Sequence, residues 1–206
     1  MADSFLNRRA ANYQQLSPLT FLQRAGTVFP NKVAIKYGSR LRRTWGQYYH
    51  RVIAVASALR NSCKVTPHMK IAVMLNNTPE MLEMHFSSPL CGACLCSINT
   101  RLDPAGVAFI LQHSESEVFI WDAEYDAIVK GAFSLLSPAD KKRIRFRIKA
   151  VDSECYFEQE KDLKFDMTYE ELLQAGSEFS LMHWEEFPGP SNVSSTGSFD
   201  SLYKTA

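Results

Sequence analysis

No stretch of the 206 residues approaches the roughly 20 consecutive apolar positions that a membrane-spanning helix needs, so no span is expected. The first sixteen residues, MADSFLNRRAANYQQL, lack an apolar core and carry an acid at Asp3, which excludes a secretory leader from the reading. Charge of one sign is missing too. The formal net charge is +1, giving no global attraction to nucleic acid or to an anionic membrane, and neither is expected as a partner. Cysteine is sparse, odd in number and clustered: Cys63, Cys91, Cys94, Cys96 and Cys155. A disulfide framework is therefore not expected, and the predicted compartment is reducing, namely the cytoplasm. The C-x-x-C at Cys91–Cys94 has no second copy and no spaced histidine pair to complete a zinc site. Those thiols read as small buried hydrophobes. His50, His68, His85, His113 and His183 are scattered, with no pair one helical turn apart, and read as structural or solvent-exposed residues.

What is present is a chain able to fold. Its hydrophobic fraction is 46% and its aromatic fraction 12%, values of a globular protein. Everything is arranged around KIAVMLNNTPEMLEMHFSSPLCGACLCSINTR, residues 70–101. It reads as a buried strand, a turn, a helix opened by Thr78-Pro79-Glu80 and ended near Pro89, and a second strand. A strand, a crossover helix and a strand make a parallel unit. Upstream, Ser17-Pro18 opens a helix, and KVAIKY with RLRRT reads as a hairpin over a two-residue Gly38-Ser39 type II′ turn. Thr44-Trp45-Gly46-Gln47 is a capping box leading the best amphipathic helix, with Trp45, Tyr48, Val52, Ala56 and Leu59 on one stripe. Downstream, Asp103-Pro104 opens another helix, EVFIWD (117–122) is a third core strand, and Tyr125 to Leu136 a further helix. KKRIRFRIKAV (141–151) alternates Arg143, Arg145 and Arg147 with Ile144, Phe146 and Ile148, the period of a half-buried strand with a solvated cationic face. A charged loop over 152–167 and a second capping box, Thr168-Tyr169-Glu170-Glu171, lead to a short helix ending at Gly176. Strands alternating with helices predict an α/β fold with a mostly parallel sheet flanked by helices. Three segments are expected: a loose arm over 1–16, a domain over 17–186, and a Pro/Gly/Ser-rich disordered tail over 187–206.

LNNTPEMLEMHF, LCGA and INTRLD resemble the N-terminal region of the adenylate-forming acyl-activating enzymes, the AMP-binding acid–CoA ligases. The order of helix, hairpin and TW-led helix is similar too, so the resemblance runs from Leu16 to Asp122 and, more thinly, to Ala175. It implies an incomplete N-terminal subdomain of the adenylate-forming fold, belonging to an enzyme that joins a carboxylic acid to AMP using ATP and magnesium and then to coenzyme A. In that family a Gly/Ser/Thr-rich loop with a Pro-Lys-Gly ending holds the phosphates. This chain offers Ser194-Ser195-Thr196-Gly197-Ser198 with no Pro-Lys-Gly after it, and Lys204 is not spaced like the family lysine. No catalytic, cofactor-binding or metal residue is therefore assigned, and the chain alone is expected to bind no cofactor and catalyse nothing. Asn99 and Arg101, nearest a strand's carboxyl end, read as loop caps. The implied partner is the remainder of an acyl-activating enzyme or a full-length relative. The resemblance also implies a peroxisomal alternative to the cytoplasm, although the chain ends Lys204-Thr205-Ala206 with no targeting tripeptide.

Overall fold

The computed structural model describes residues 17–39, 41–152 and 163–177. The expected arm, the tail, Cys155, His183 and most of the charged loop lie outside them. Helix α1 (Pro18–Val28) starts where Ser17 and Thr20 satisfy each other's backbone amides. Strands β1 (Val33–Tyr37) and β2 (Leu41–Thr44) pair antiparallel. Their register corrects the expected turn. Tyr37 faces Leu41, so three positions lie between the strands where a type II′ turn spans two, although Gly38 does take φ 55°. Helix α2 (Trp45–Asn61) opens on the predicted box, with the Gln47 amide donating to Thr44 Oγ1 and the Thr44 amide donating to Gln47 Oε1.

The second sheet is parallel throughout. Strand β3 (Lys70–Met74) leads through α3 (Pro79–Leu90) to β4 (Cys94–Ser97). The chain then crosses by α4 (Pro104–Ser114) to β5 (Val118–Asp122) on the other side of β3. A 3-10 turn (Ala123–Tyr125), α5 (Asp126–Leu135) and α6 (Pro138–Arg143) precede β6 (Phe146–Ala150), and β7 (Met167–Thr168) runs into α7 (Tyr169–Ser177). The strand order is β4-β3-β5-β6-β7. Pro89 sits in the last turn of α3, which ends one residue later, and Gly92 takes φ 87° in the turn that follows.

Both faces of the sheet are covered. Ile71, Val73, Val118, Ile120 and Ile148 pack with Val52, Val55 and Leu59 of α2 in one core. Ala72, Met74, Phe119 and Trp121 pack with Val107, Leu111, Val129 and Ala132 of α4 and α5 in the other. Two-sided burial explains why the strands read as nearly unbroken apolar runs. Cys63, Cys91 and Cys96 are buried free thiols, as a core role requires.

The 141–151 stretch differs from its expected single strand. Ser137 Oγ accepts the Asp140 amide and opens α6, whose last turn holds Lys141, Lys142 and Arg143, cations that suit a helix carboxyl end. Strand β6 begins at Phe146 and is interior, paired with β5 and β7. The expected cationic face stays open to solvent at Arg145 and in part at Arg147 but is closed at Lys149. Lys149 is 1% exposed, its Nζ 2.8 Å from Asp126 Oδ2, while Asp126 Oδ1 accepts Trp121 Nε1–H at 2.8 Å. The Phe165 ring lies 4.7 Å from the ammonium. Period-two patterning marks Lys149 as solvated because it cannot see the carboxylate at the start of α5. Replacing Lys149 with Met strands a buried carboxylate and is expected to cost about 3–5 kcal/mol in urea unfolding. Adding Asp126→Asn, which keeps the acceptor for Trp121, should recover most of it. A single substitution costing under about 1 kcal/mol would count against the pair.

Candidate functional site at the carboxyl edge of the sheet

From β3 the connection runs outward to β4, and from β5 it runs the other way to β6. The crevice at the carboxyl ends of β3 and β5 is thus the topological switch point, where open α/β sheets receive ligands. Asn76, just beyond β3, donates from Nδ2 to Glu124 Oε2 at 2.6 Å and accepts the Tyr125 hydroxyl on Oδ1. The link clamps the end of β3 to the 3-10 turn after β5. Asp122 ends β5, and its Oδ1 accepts the Glu124 amide at 3.0 Å. Tyr37 of the hairpin donates to Asp152 Oδ2, carrying β1 to the same edge.

Asp122 is 1% exposed. Burial pushes its carboxyl up from 3.8 to about 6, the Glu124 amide opposes this, and the charges of Asp152, Glu124 and Glu80 push it further up. A folded-state value above the unfolded one gives stability that is fully present below pH 3.8 and lost as pH rises through about 6. Asp122→Asn keeps an acceptor for the Glu124 amide. Relative to the parent it should therefore gain on the order of 2–3 kcal/mol at pH 8 and little at pH 4. A difference between the two proteins that is flat from pH 4 to pH 8 would refute the assignment.

The charges that act on Asp122 are acidic, and among the described residues no group of three or more His, Cys, Asp or Glu could hold a metal ion. Acidic charge around Asp122 does not suit the phosphates of a nucleoside triphosphate.

A second cluster lies where β2, α2, α3 and α7 meet. Glu83 is fully buried and accepts from Arg43 at 2.7 Å, from Arg51 Nε at 2.6 Å and from the Tyr169 hydroxyl at 3.0 Å. Burial drives its carboxyl upward, opposed by Arg51 and Arg43. Glu80 adds a 3.3 Å contact to Arg43, and Glu170 a 3.0 Å contact to Arg51. Sequence reading missed both clusters, because each joins residues dozens of positions apart. The ends of strands β3 and β5 were the available pointer to Asn76 and Asp122.

The residues that the sequence did single out fall elsewhere. Asn99 Oδ1 accepts the Arg101 amide at 3.0 Å, a turn-capping bond. His113 stacks on Phe109 in the last turn of α4. The arginines of the cationic face each meet a carboxylate: Arg143 meets Asp140 at 2.9 Å, Arg145 meets Glu117 at 3.3 Å and Arg147 meets Asp166 at 3.6 Å. Burial pushes the thiols of Cys63 and Cys91 up to about 12, so neither is a ready nucleophile. Ser194–Ser198 and Lys204 lie outside the described residues.

The family model described as AMP-binding enzyme matches residues 22–182. A peroxisomal benzoate–CoA ligase of Arabidopsis thaliana is 40% identical over 130 residues, covering 63% of this chain and 22% of that protein. A peroxisomal trans-cinnamate:CoA ligase of Petunia hybrida is 35% identical over 178 residues, covering 84% of this chain and 31% of that protein. The benzoate CoA ligase of Burkholderia xenovorans LB400 superposes with a TM-score of 0.61 at 20% identity, over 78% of this chain and 29% of that one. The chain therefore spans between a fifth and a third of the length of these relatives.

Proposed function

Since this chain belongs to the AMP-binding enzyme family, we propose that residues 17–186 are the N-terminal subdomain of an AMP-dependent acid–CoA ligase, a scaffold that does not by itself form acyl adenylate. The relatives are acid–CoA ligases, and the AMP-binding family model covers residues 22–182 of this chain. One observation carries the scaffold reading. The buried carboxylates are neutralised within the fold, Glu83 by Arg43 and Arg51 and Asp126 by Lys149, which makes these pairs fasteners between elements. ATP, magnesium and coenzyme A then belong to the whole enzyme and not to this chain alone. The three buried free thiols support a reducing compartment, which we take to be the cytoplasm. No helix among the described residues is long and apolar enough to cross a membrane.

Pyrophosphate release by the purified 206-residue chain, given ATP, magnesium and a panel of short-chain and aromatic acids, should not exceed the protein-free blank. Turnover above the blank would overturn the scaffold reading. A second reading, a non-catalytic module that pairs with a full-length relative, is favoured by Phe21, Val28, Phe29 and Val33, apolar side chains left exposed on and beside α1. Co-purification with a full-length ligase would support it, and a monodisperse monomer that ignores such a ligase would not.

A further inference from the structure

Between β2 and the first turns of α2 lies an open concavity of about 550 Å³, lined by Leu41, Arg42, Arg43, Gln47, His50 and Arg51. Three arginines on one small surface is an expensive arrangement unless something negative holds them there. Buried Glu83 does part of this. It takes one N–H of Arg43 and two of Arg51, so both guanidiniums are fixed before any ligand arrives. Their further contacts go to Glu80 and to Glu170, whose side chain is 61% exposed and gives a weak, screened pair.

Donors are left over. The Arg43 Nε–H and the Arg51 terminal NH1 make no hydrogen bond among the described residues. Arg42 is exposed and has no carboxylate partner among them. Gln47 spends its Oε1 on the Thr44 amide, so its NH2 remains a donor. His50 sits one helical turn from Gln47 and next to Arg51 on the same wall. The lining is therefore rich in N–H donors, two of its cations are held rigid from beneath, and a third is unpaired. Guanidiniums in fixed positions match the tetrahedral oxygens of a phosphoryl group better than a lone halide.

We propose that this concavity binds a small phosphoryl oxyanion, with Arg42 as the free cation that closes on it and with Arg43 and Arg51 as preset donors. The site is independent of whether the chain carries out or supports adenylation.

Inorganic phosphate, pyrophosphate and glycerol phosphate are titrated into the full chain at constant ionic strength, with sodium chloride as the reference and binding read by calorimetry. Saturable one-to-one binding is expected, at least tenfold tighter for phosphate than for chloride, and weakened at least fivefold in Arg42→Gln. Arg42 makes no ion pair among the described residues and stands across the hairpin from Lys36, another cation, so that variant should be no less stable than the parent. Arg145→Gln, on another part of the surface, should bind as the parent does. Glycerol phosphate binding as well as phosphate would mean the site reads the phosphoryl group wherever it is attached, and binding confined to phosphate and pyrophosphate would mean it takes the free anion. Binding that matches chloride, or that survives Arg42→Gln unchanged, would overturn the proposal.

Discussion

Replacing Glu83 with Ala is expected to destabilise the fold by about 3–5 kcal/mol, the cost of removing the shared counter-charge of a buried network. Two guanidiniums, each less than a fifth exposed, would face one another across the cavity, and the Tyr169 hydroxyl would lose its acceptor. Glu83→Gln keeps the volume and an acceptor oxygen but not the charge, so it should fall between the parent and the alanine variant. Equilibrium urea unfolding of the three proteins is the measurement. Because Glu83 joins β2, α2, α3 and α7, the loss should appear in one cooperative transition and not as fraying of a single helix. An alanine variant within about 1 kcal/mol of the parent would show that the arginines relax to solvent and that the carboxylate is dispensable.

The second large effect is steric. A Cβ built on Gly176 would lie 1.7 Å from the carbonyl oxygen of Ala54, a backbone atom that cannot swing aside. Helix α7 crosses α2 at this glycine, and any side chain there must push the two apart. Gly176→Ala is expected to cost about 3 kcal/mol or more, at the upper end of overpacking penalties, even though alanine is the better helix former. Hydrogen exchange should show α7 losing protection while β3 and β5 keep theirs, since neither contributes to that crossing. Retention of full protection across 169–177 in the variant would mean that α7 docks elsewhere. Gly26, whose added Cβ would come within 2.7 Å of Tyr49 Cβ, offers a second comparison, because a Cβ is fixed to its backbone and only a shift of α1 against α2 could relieve the clash.

Local chemistry made most of the elements legible in the sequence. Ser17, Thr44, Thr78 and Asp103 all cap the helices they were expected to cap, because a cap is a bond between residues two or three positions apart. Two-sided burial was legible in KIAVM and VFIWD for a similar reason: an interior parallel strand has no polar face to show. The resemblance to the acid–CoA ligases, read from LNNTPEMLEMHF and INTRLD, was borne out by the family match. The misreadings share a cause. Lys149 looked solvated and Arg143 looked like part of a strand, because the deciding partners, Asp126 and the Ser137 cap, act through packing or through a short helix hidden in a basic run. Likewise Glu83 is one of two acids in its helix until Arg43, Arg51 and Tyr169 arrive from three other elements. The carboxyl-edge cluster was out of reach in the same way, since Asn76 meets Glu124 only after a crossover has placed β5 beside β3.

The position of α7 has a bearing on synthesis. The apolar flank of α2 is complete by residue 61, yet the helix that covers it is not made until residue 177, more than a hundred residues later. A ribosome-bound chain must therefore carry that flank uncovered while more than a hundred further residues are made. The step that seals it is a late, long-range closure, and that interval is when a chaperone, or aggregation, would find the nascent protein.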